Sequence, residues 1–142
     1  MTTAFLRSNP ENVIYEDDYV RLSEDLLVIK RYFFPLMRPK YIRTAALSVA
    51  YYDDIDSAKY ANLRTWGKST ETGVYWAFDY QRCLSSTTTK PDAHKRAYVV
   101  VDIEDGVRKG FTCCDIKHFI ECLTSVAPMS LIVIDNLRIS KP

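Results

Sequence analysis

Five cationic residues in the first third of the chain form the most suggestive candidate for a binding site. No acidic residue separates them, and apolar residues such as Phe34 and Leu36 lie among them. They are Lys30, Arg31, Arg38, Lys40 and Arg43. Lysine and arginine bind anionic groups, and an exposed apolar residue in the same loop enters a lipid interface. The pattern therefore indicates a site for anionic lipid headgroups. A solvated strand end with its apolar residues turned into the core would give the same pattern.

Residues for catalysis and metal binding do not occur at a recognisable spacing. His94 lies in a polar loop and His118 on a helix, and neither has a serine or cysteine placed as a nucleophile. The acidic run at residues 53–56 lacks the glycine and the final glutamate of a calcium loop. The Gly-Lys-Ser sequence at residues 67–69 lacks the upstream glycine of a phosphate-binding loop. The sequence therefore predicts no enzyme, no cofactor and no metal site.

The cysteines are placed as structural side chains. None of them forms a Cys-x-x-Cys pair, and adjacent strand residues point to opposite faces, so Cys113 and Cys114 are not positioned to pair. We interpret all of them as reduced thiols that pack as small apolar groups. They are Cys83, Cys113, Cys114 and Cys122.

Composition further limits the classes of function that the chain could have. The chain has 142 residues, which suits one domain, and a net charge of +1, which gives no overall field towards nucleic acid or membrane. Trp66, Trp76 and Tyr75 could stack on bases, but no basic sheet face accompanies them, so nucleic acid binding is not expected. No apolar run is long enough to span a bilayer, and the N-terminus lacks a signal-peptide core. The sequence thus predicts a cytoplasmic protein.

The elements that position these residues are mostly predicted strands, since aromatic and β-branched residues are enriched, with 10 Tyr and 6 Phe. The polar residues 23–25 predict a hairpin turn, and Asp-Gly within residues 104–106 is the strongest short hairpin signal in the sequence. The predicted strands lie at residues 13–15, 19–22, 26–34, 40–52, 60–66, 74–80, 97–103 and 107–113, with a further one at 131–134.

Two of these strands carry finer expectations. The strand at residues 40–52 is expected to bend, with a bulge or a short turn near Thr44. In the strand at residues 74–80 the even-numbered residues are apolar, so Tyr75 and Asp79 are expected on the face away from the core.

One amphipathic helix is predicted near the end of the chain. Apolar residues recur at helical spacing over residues 116–126, which leaves Lys117 and Glu121 on another face. Asp115 occupies the N-cap position, where its side chain accepts a backbone N–H. Pro128 stops the helix.

The order of these elements resembles the pleckstrin-homology-like superfold, and most closely its small bacterial-type members. The similarity rests on LLVIKRYFFP at residues 26–35, followed by a basic loop, and on FTCCDIKHFIECL at residues 111–123, where a strand runs into the helix. It implies a mainly β fold, a bent barrel or sandwich of about seven antiparallel strands that one C-terminal helix caps. The domain would occupy residues 13–127, between a flexible lead-in at residues 1–12 and an extension with one extra strand at residues 128–142.

This superfold includes lipid binders, peptide binders and scaffolds, so the resemblance leaves the function open. Phosphoinositide-binding members carry cations across the first hairpin loop, where this chain has the acidic residues Glu24 and Asp25. We therefore expect a non-catalytic adaptor that engages a protein or peptide in a groove beside Lys117 and Glu121. Self-association through the strand at residues 131–134 is a second form of this expectation.

The alternative expectation is a peripheral membrane domain that binds anionic headgroups through the five cations. A surface map distinguishes the function classes. A basic rim with a protruding Phe34 or Leu36 favours a membrane, an open apolar groove at the helix favours a peptide, and a deep polar pocket favours catalysis.

Overall fold

The computed structural model of the chain describes residues 12–54, 67–68, 73–79 and 96–137, which form a mainly β structure with one α-helix. The helix is α1 (Ile116–Val126), and a short turn of 3-10 helix covers Thr44–Ala46. The strands are β1 (Val13–Glu16), β2 (Val20–Ser23), β3 (Leu26–Phe33), β4 (Arg38–Arg43), β5 (Val49–Asp54), β6 (Gly67–Lys68), β7 (Val74–Trp76), β8 (Ala97–Asp102), β9 (Arg108–Cys113) and β10 (Ile132–Ile134).

The first sheet is an antiparallel meander in the order β1-β2-β3-β4. The hairpin predicted around residues 23–25 is confirmed, because β2 pairs with β3 across that turn. Leu27 and Ile29 alternate along β3 and are fully buried, as the apolar start of this strand predicts.

The chain leaves the first sheet at the 3-10 turn Thr44–Ala46. The Thr44 amide donates to the carbonyl of Asp25 at 3.1 Å, and the Thr44 hydroxyl donates to the carbonyl of Glu24 at 2.7 Å. The turn expected near Thr44 is confirmed. It separates two strands that belong to different sheets, whereas the sequence predicted one bent strand over residues 40–52.

The second sheet has the order β10-β5-β8-β9-β7-β6. Two of its pairs are parallel, β10 with β5 and β7 with β9. The expectation of antiparallel barrel strands is therefore wrong for β7 and β9, whereas the sequence predicted no direction for the extra C-terminal strand, β10. The parallel direction depends on the connection between the two strands. A parallel pair requires a long crossover, and between β5 and β10 the chain passes through β8, β9 and α1. The described strands form two sheets and not one closed ring of pairs.

The turn between β8 and β9 has the positive φ values that its Asp-Gly sequence predicts. Gly106 has a φ of 91° and Glu104 a φ of 60°, so the left-handed backbone falls in and beside the Asp-Gly pair. Lys109 is buried, and its Nζ bonds to both carboxylate oxygens of Asp105 at 2.6 Å. Burial alone would raise the pKa of Asp105, but the bonds from Lys109 and from the Val107 amide lower it below its usual value.

One cluster of buried side chains joins both sheets and the helix. Phe119 and Leu123 are the fully buried residues of α1, and the Phe119 ring meets Phe111 of β9 edge to face, with ring centroids 5.8 Å apart. The predicted N-cap is confirmed, because the His118 amide donates to Asp115 Oδ1 at 3.3 Å. The helix ends at Val126, two residues before Pro128, as predicted.

The second sheet is also covered on its other face. Tyr98 and Val100 of β8 pack there with Trp76 and Leu137, while the intervening Val99 belongs to the main cluster. Both faces of β8 are therefore buried, which explains its uninterrupted apolar sequence. A side chain at position 110 would place its Cβ 2.5 Å from the Trp76 ring, so β9 carries a glycine there.

A single carboxylate ties the first sheet to the start of the helix. Asp17 Oδ1 accepts the amides of Tyr19 at 2.7 Å and Val20 at 3.0 Å, which shapes the turn from β1 to β2. Asp17 Oδ2 accepts the Tyr15 hydroxyl at 2.6 Å and the Cys114 amide at 2.9 Å. Because Cys114 directly follows β9, these bonds fix the point at which the strand gives way to α1.

We expect Asp17→Ala to lower the free energy of unfolding by about 3 kcal/mol, because it leaves several donors in a partly buried site without their acceptor. The measurement is urea unfolding followed by tryptophan fluorescence. Asp18→Ala is the matched control and should change stability by less than about 0.5 kcal/mol, since the described bond of Asp18 uses its carbonyl. Equal stability of the two variants would contradict the role given to Asp17.

Candidate functional site

The two most exposed large apolar side chains of residues 12–54, Leu36 and Phe34, lie in the hairpin tip, which we define as residues 33–38 at the junction of β3 and β4. Phe34 is 57% exposed, Leu36 66% and Met37 46%. The turn is closed by the Met37 amide, which donates to the Phe33 carbonyl at 2.8 Å. Large apolar side chains therefore project from a closed turn. The interpretation of this segment as a strand end whose apolar residues turn into the core is wrong for Phe34 and Leu36.

A wide bulge in β3 sets the direction of the hairpin tip. Ile29 faces Lys40 in the ladder and Phe33 faces Arg38, so the three residues 30–32 lie opposite Pro39 alone. Arg31, at the centre of the bulge, has a φ of 50°, which an L-residue seldom adopts. A bulge bends its strand and increases the local twist, so it re-aims the residues beyond it.

Two of the five predicted cations hold this bulge in place. Lys30 Nζ bonds to Glu16 Oε2 at 2.8 Å and to the Asp17 carbonyl at 2.7 Å, and the bond from Lys30 lowers the pKa of Glu16. Arg31 donates through Nη1 to the Asp18 carbonyl at 2.9 Å, and its own carbonyl accepts the Phe78 amide at 2.9 Å. Both side chains are thus engaged by the protein itself.

Tyr75 of β7 fastens the hairpin tip to the second sheet. Its ring stacks on Tyr32 with centroids 4.6 Å apart and meets Phe33 at 6.3 Å. Its hydroxyl accepts the Phe34 amide at 2.9 Å. Burial raises the pKa of the neighbouring Tyr32. The base of the hairpin tip is therefore rigid although its end is exposed.

The other three predicted cations, which we call the tip cations, are Arg38, Lys40 and Arg43. Arg38 and Arg43 are exposed, and Lys40 is half-buried with its Nζ 5.9 Å from the Phe33 ring centroid. Among the described residues none of the three forms an ion pair. No acidic residue occurs between positions 26 and 52, so the segment carries five positive charges. The rest of the chain contains the other 14 of the 19 Lys and Arg, together with all 18 Asp and Glu.

The residues predicted for a peptide groove lie on the exposed side of the helix. Lys117 and Glu121 are both exposed, away from the buried Phe119. The strand predicted for self-association is β10, and it pairs with β5 of its own chain. The side of α1 that carries Cys122 lies beside β1, with Cys122 Sγ 3.5 Å from the Ile14 carbonyl. Peptide binding beside Lys117 and Glu121 stays a prediction.

The described thiols have the environment of packing residues. Burial raises the pKa of Cys113, whose Sγ lies 3.3 Å from the Tyr15 hydroxyl. Burial, with the nearby charge of Asp17, raises the pKa of Cys114 to about 11, and burial also raises that of Cys122. A raised pKa disfavours the thiolate, which is the nucleophile and the metal ligand. The described residues contain no cluster of three or more His, Cys, Asp or Glu suited to a metal ion.

One buried polar cluster is not indicated by the sequence pattern. Asp79 was expected to face away from the core, but it is 2% exposed because β7 ends at Trp76 and its alternation does not continue. The Thr112 hydroxyl donates to Asp79, and Arg96 lies 3.9 Å from the same carboxylate. Arg96 also donates to the Tyr19 hydroxyl at 3.1 Å. The signal available in the sequence was only the presence of these polar residues beside apolar strands.

Several predictions fall on residues outside those described. They concern the lead-in at residues 1–11, the strand at residues 60–66, Trp66, Cys83 and His94. Within the described ranges, no helix has the length and apolar character needed to cross a membrane. Comparisons with family models, curated proteins and solved structures find no match for this chain.

The fastening of the hairpin tip is testable with Tyr75→Phe, which removes the acceptor of the Phe34 amide and keeps the stacked ring. We expect hydrogen exchange of the Phe34 amide, measured by NMR, to quicken about fivefold, as the loss of a bond worth about 1 kcal/mol implies. Tyr41→Phe is the control, because its hydroxyl has no bond among the described residues. Unchanged exchange in Tyr75→Phe would show that the hydroxyl does not hold the tip.

The thiol assignment is testable through pH. With a pKa of about 11, Cys114 should alkylate slowly at neutral pH, and its rate should still rise about tenfold per pH unit at pH 9. A small free thiol levels off above its pKa of about 8.5 and serves as the reference. The measurement is iodoacetamide labelling with fragmentation mass spectrometry, which separates Cys114 from Cys113. A rate for Cys114 that levels off near pH 8.5 would contradict the raised pKa.

Proposed function

We propose that this protein is a non-catalytic binding module that docks on anionic membrane surfaces through its hairpin tip. The observation that carries this proposal is the exposure of Phe34, Leu36 and Met37 together, on a turn that leads into Arg38 and Lys40 of β4. We further propose that the two sheets and α1 form a bent, pleckstrin-homology-like domain. A mainly β chain in which a late hairpin leads into one helix is compatible with that superfold.

The shape of the apolar surface supports a membrane more than a peptide. All six residues of the hairpin tip are exposed, so the surface is a projection and not a groove. A projection inserts into a soft interface without needing a matching cavity, whereas a bound peptide is usually received by a groove or a sheet edge. Exposed apolar groups concentrated at one place commonly mark an interaction site.

Charge supports the same conclusion. Each Lys or Arg near an anionic bilayer contributes about 1 kcal/mol, so Arg38 and Lys40, the two tip cations nearest the turn, together contribute about 2 kcal/mol. Partial burial of Phe34, Leu36 and Met37 contributes about 3 kcal/mol more, at about 1 kcal/mol for each half-exposed side chain. The two terms together correspond to a partition constant on the order of 10⁴ M⁻¹, which describes reversible, peripheral binding.

A protein partner is the second candidate, and a separate observation favours it. Among the described strands, β10 lies at one edge of the second sheet. Ile132 of this strand is 57% exposed, and Met129, which precedes the strand, is fully exposed. An edge strand with exposed apolar residues accepts a further strand, from a peptide or from a second copy of the chain. Because β10 spans three residues, such pairing would be weak. The adaptor role, self-association and a cytoplasmic location remain proposals of this second kind.

Membrane docking is testable by co-sedimentation with vesicles of phosphatidylcholine, with and without phosphatidylserine. We expect the wild type to bind only the anionic vesicles, and Leu36→Glu to weaken partitioning about tenfold or more, because it puts an anion where an apolar group inserts. Arg38→Glu should weaken it about 30-fold, because it loses one attraction and gains one repulsion of about 1 kcal/mol each.

The matched controls for these variants lie elsewhere on the chain. Met129→Glu makes the same kind of change at another exposed apolar residue, and Lys117→Glu makes the same change in net charge on α1. Both should bind as the wild type does, with all variants unfolding at the same temperature. Wild-type protein that fails to bind anionic vesicles would overturn membrane docking and favour a protein partner for the hairpin tip.

A further inference from the structure

The tip cations do not converge on one point. Arg38 and Lys40 lie on the same face of β4 as the buried Ile42, and the exposed Arg43 lies on the other face with Tyr41. Along a strand that rises about 3.4 Å per residue, Arg38 and Arg43 are about 17 Å apart. A single phosphate group is far smaller than this spacing, so no one headgroup contacts all three side chains.

The two cations that would complete a convergent set are occupied. The ammonium of Lys30 is held by Glu16 and by the Asp17 carbonyl, at 2.8 and 2.7 Å. The guanidinium of Arg31 is held by the Asp18 carbonyl at 2.9 Å. Neither is available to a headgroup unless the bulge that aims the hairpin tip loses its support.

The turn between β2 and β3 opposes a phosphate site instead of providing one. Its residues Glu24 and Asp25 are both exposed and acidic, and the carbonyls of both accept hydrogen bonds from Thr44. Two carboxylates at the surface repel a phosphate, so this loop does not contribute donors to a headgroup.

We infer that the hairpin tip responds to the charge density of a membrane surface and not to the structure of any one headgroup. This inference rests on the proposed membrane docking. The ligand is an anionic phospholipid surface as a whole, whether the charge comes from serine, glycerol or inositol phospholipids. Apolar insertion by Phe34, Leu36 and Met37 supplies the part of the binding that a soluble headgroup cannot reproduce.

The test compares phosphatidylcholine vesicles that contain phosphatidylserine, phosphatidylglycerol or phosphatidylinositol bisphosphate, mixed to give the same measured zeta potential. We expect the wild-type partition constants to agree within about twofold, and to fall steeply as salt is added, because exposed charges are screened within about 10 Å at moderate ionic strength. Soluble inositol trisphosphate, compared with sodium chloride at the same ionic strength, should displace no more protein than the salt does.

Single substitutions add a second readout. Arg38→Ser and Lys40→Ser should each weaken partitioning by a similar factor, about fivefold, whereas Arg43→Ser, about 17 Å from Arg38 along the strand, should weaken it less. Lys117→Ser changes the net charge equally and should have no effect. In a built headgroup site, one of the three substitutions would instead dominate by far more than tenfold.

The outcomes distinguish this inference from the proposed membrane docking on which it rests. Preference for one lipid at equal zeta potential, or displacement by inositol trisphosphate beyond the salt effect, would overturn the inference while membrane docking stands. Failure to bind any of the anionic vesicles would overturn both. Equal binding to all of them, with similar losses from Arg38→Ser and Lys40→Ser, supports the inference.

Discussion

Within the described residues, the carboxylate of Asp17 connects parts of the structure that are distant in the chain. Asp17 accepts donors from β1, from the turn that follows it and from the end of β9, segments about 100 positions apart in the chain. The Tyr15 hydroxyl extends the arrangement by accepting the Asp115 amide at 3.1 Å. Asp115 in turn caps α1. The register of the first hairpin and the start of the helix are therefore fixed by the same few bonds, and Phe119 and Leu123 reach the core from there.

The same region also supports the exposed end of the molecule. The Asp17 carbonyl holds Lys30, and the adjacent Asp18 carbonyl holds Arg31, whose left-handed backbone aims the hairpin tip. Such a backbone costs about 1 kcal/mol or more, and it persists where surrounding bonds determine it, here including the Phe78 amide. A tip fixed in this way loses little conformational entropy when it docks, which improves binding without adding a contact.

Elements with local signals were predictable from the sequence, and long-range partners were not. Asp115 and Pro128 mark the helix, and Asp-Gly within residues 104–106 marks a turn, because capping and positive φ depend only on neighbouring residues. The parallel pairs of the second sheet and the burial of Asp79 depend on strands that meet across the chain. The run of cations without an intervening acid identified the cationic cluster. It could not show which cations bind carbonyls of another strand, or that Phe34 faces outward.

The distribution of charge gives the proposed docking a direction. Five cations and no acids lie between positions 26 and 52, while the rest of the chain has 14 Lys and Arg against 18 Asp and Glu. With a net charge of +1, the whole protein is only weakly attracted to an anionic surface. Close to such a surface, within a screening length of about 8 Å, the cationic segment is attracted and the acidic remainder is repelled. In the proposed docking, the field would turn the hairpin tip towards the bilayer before any side chain inserts, and apolar insertion would follow where the exposed Leu36 and Phe34 lie.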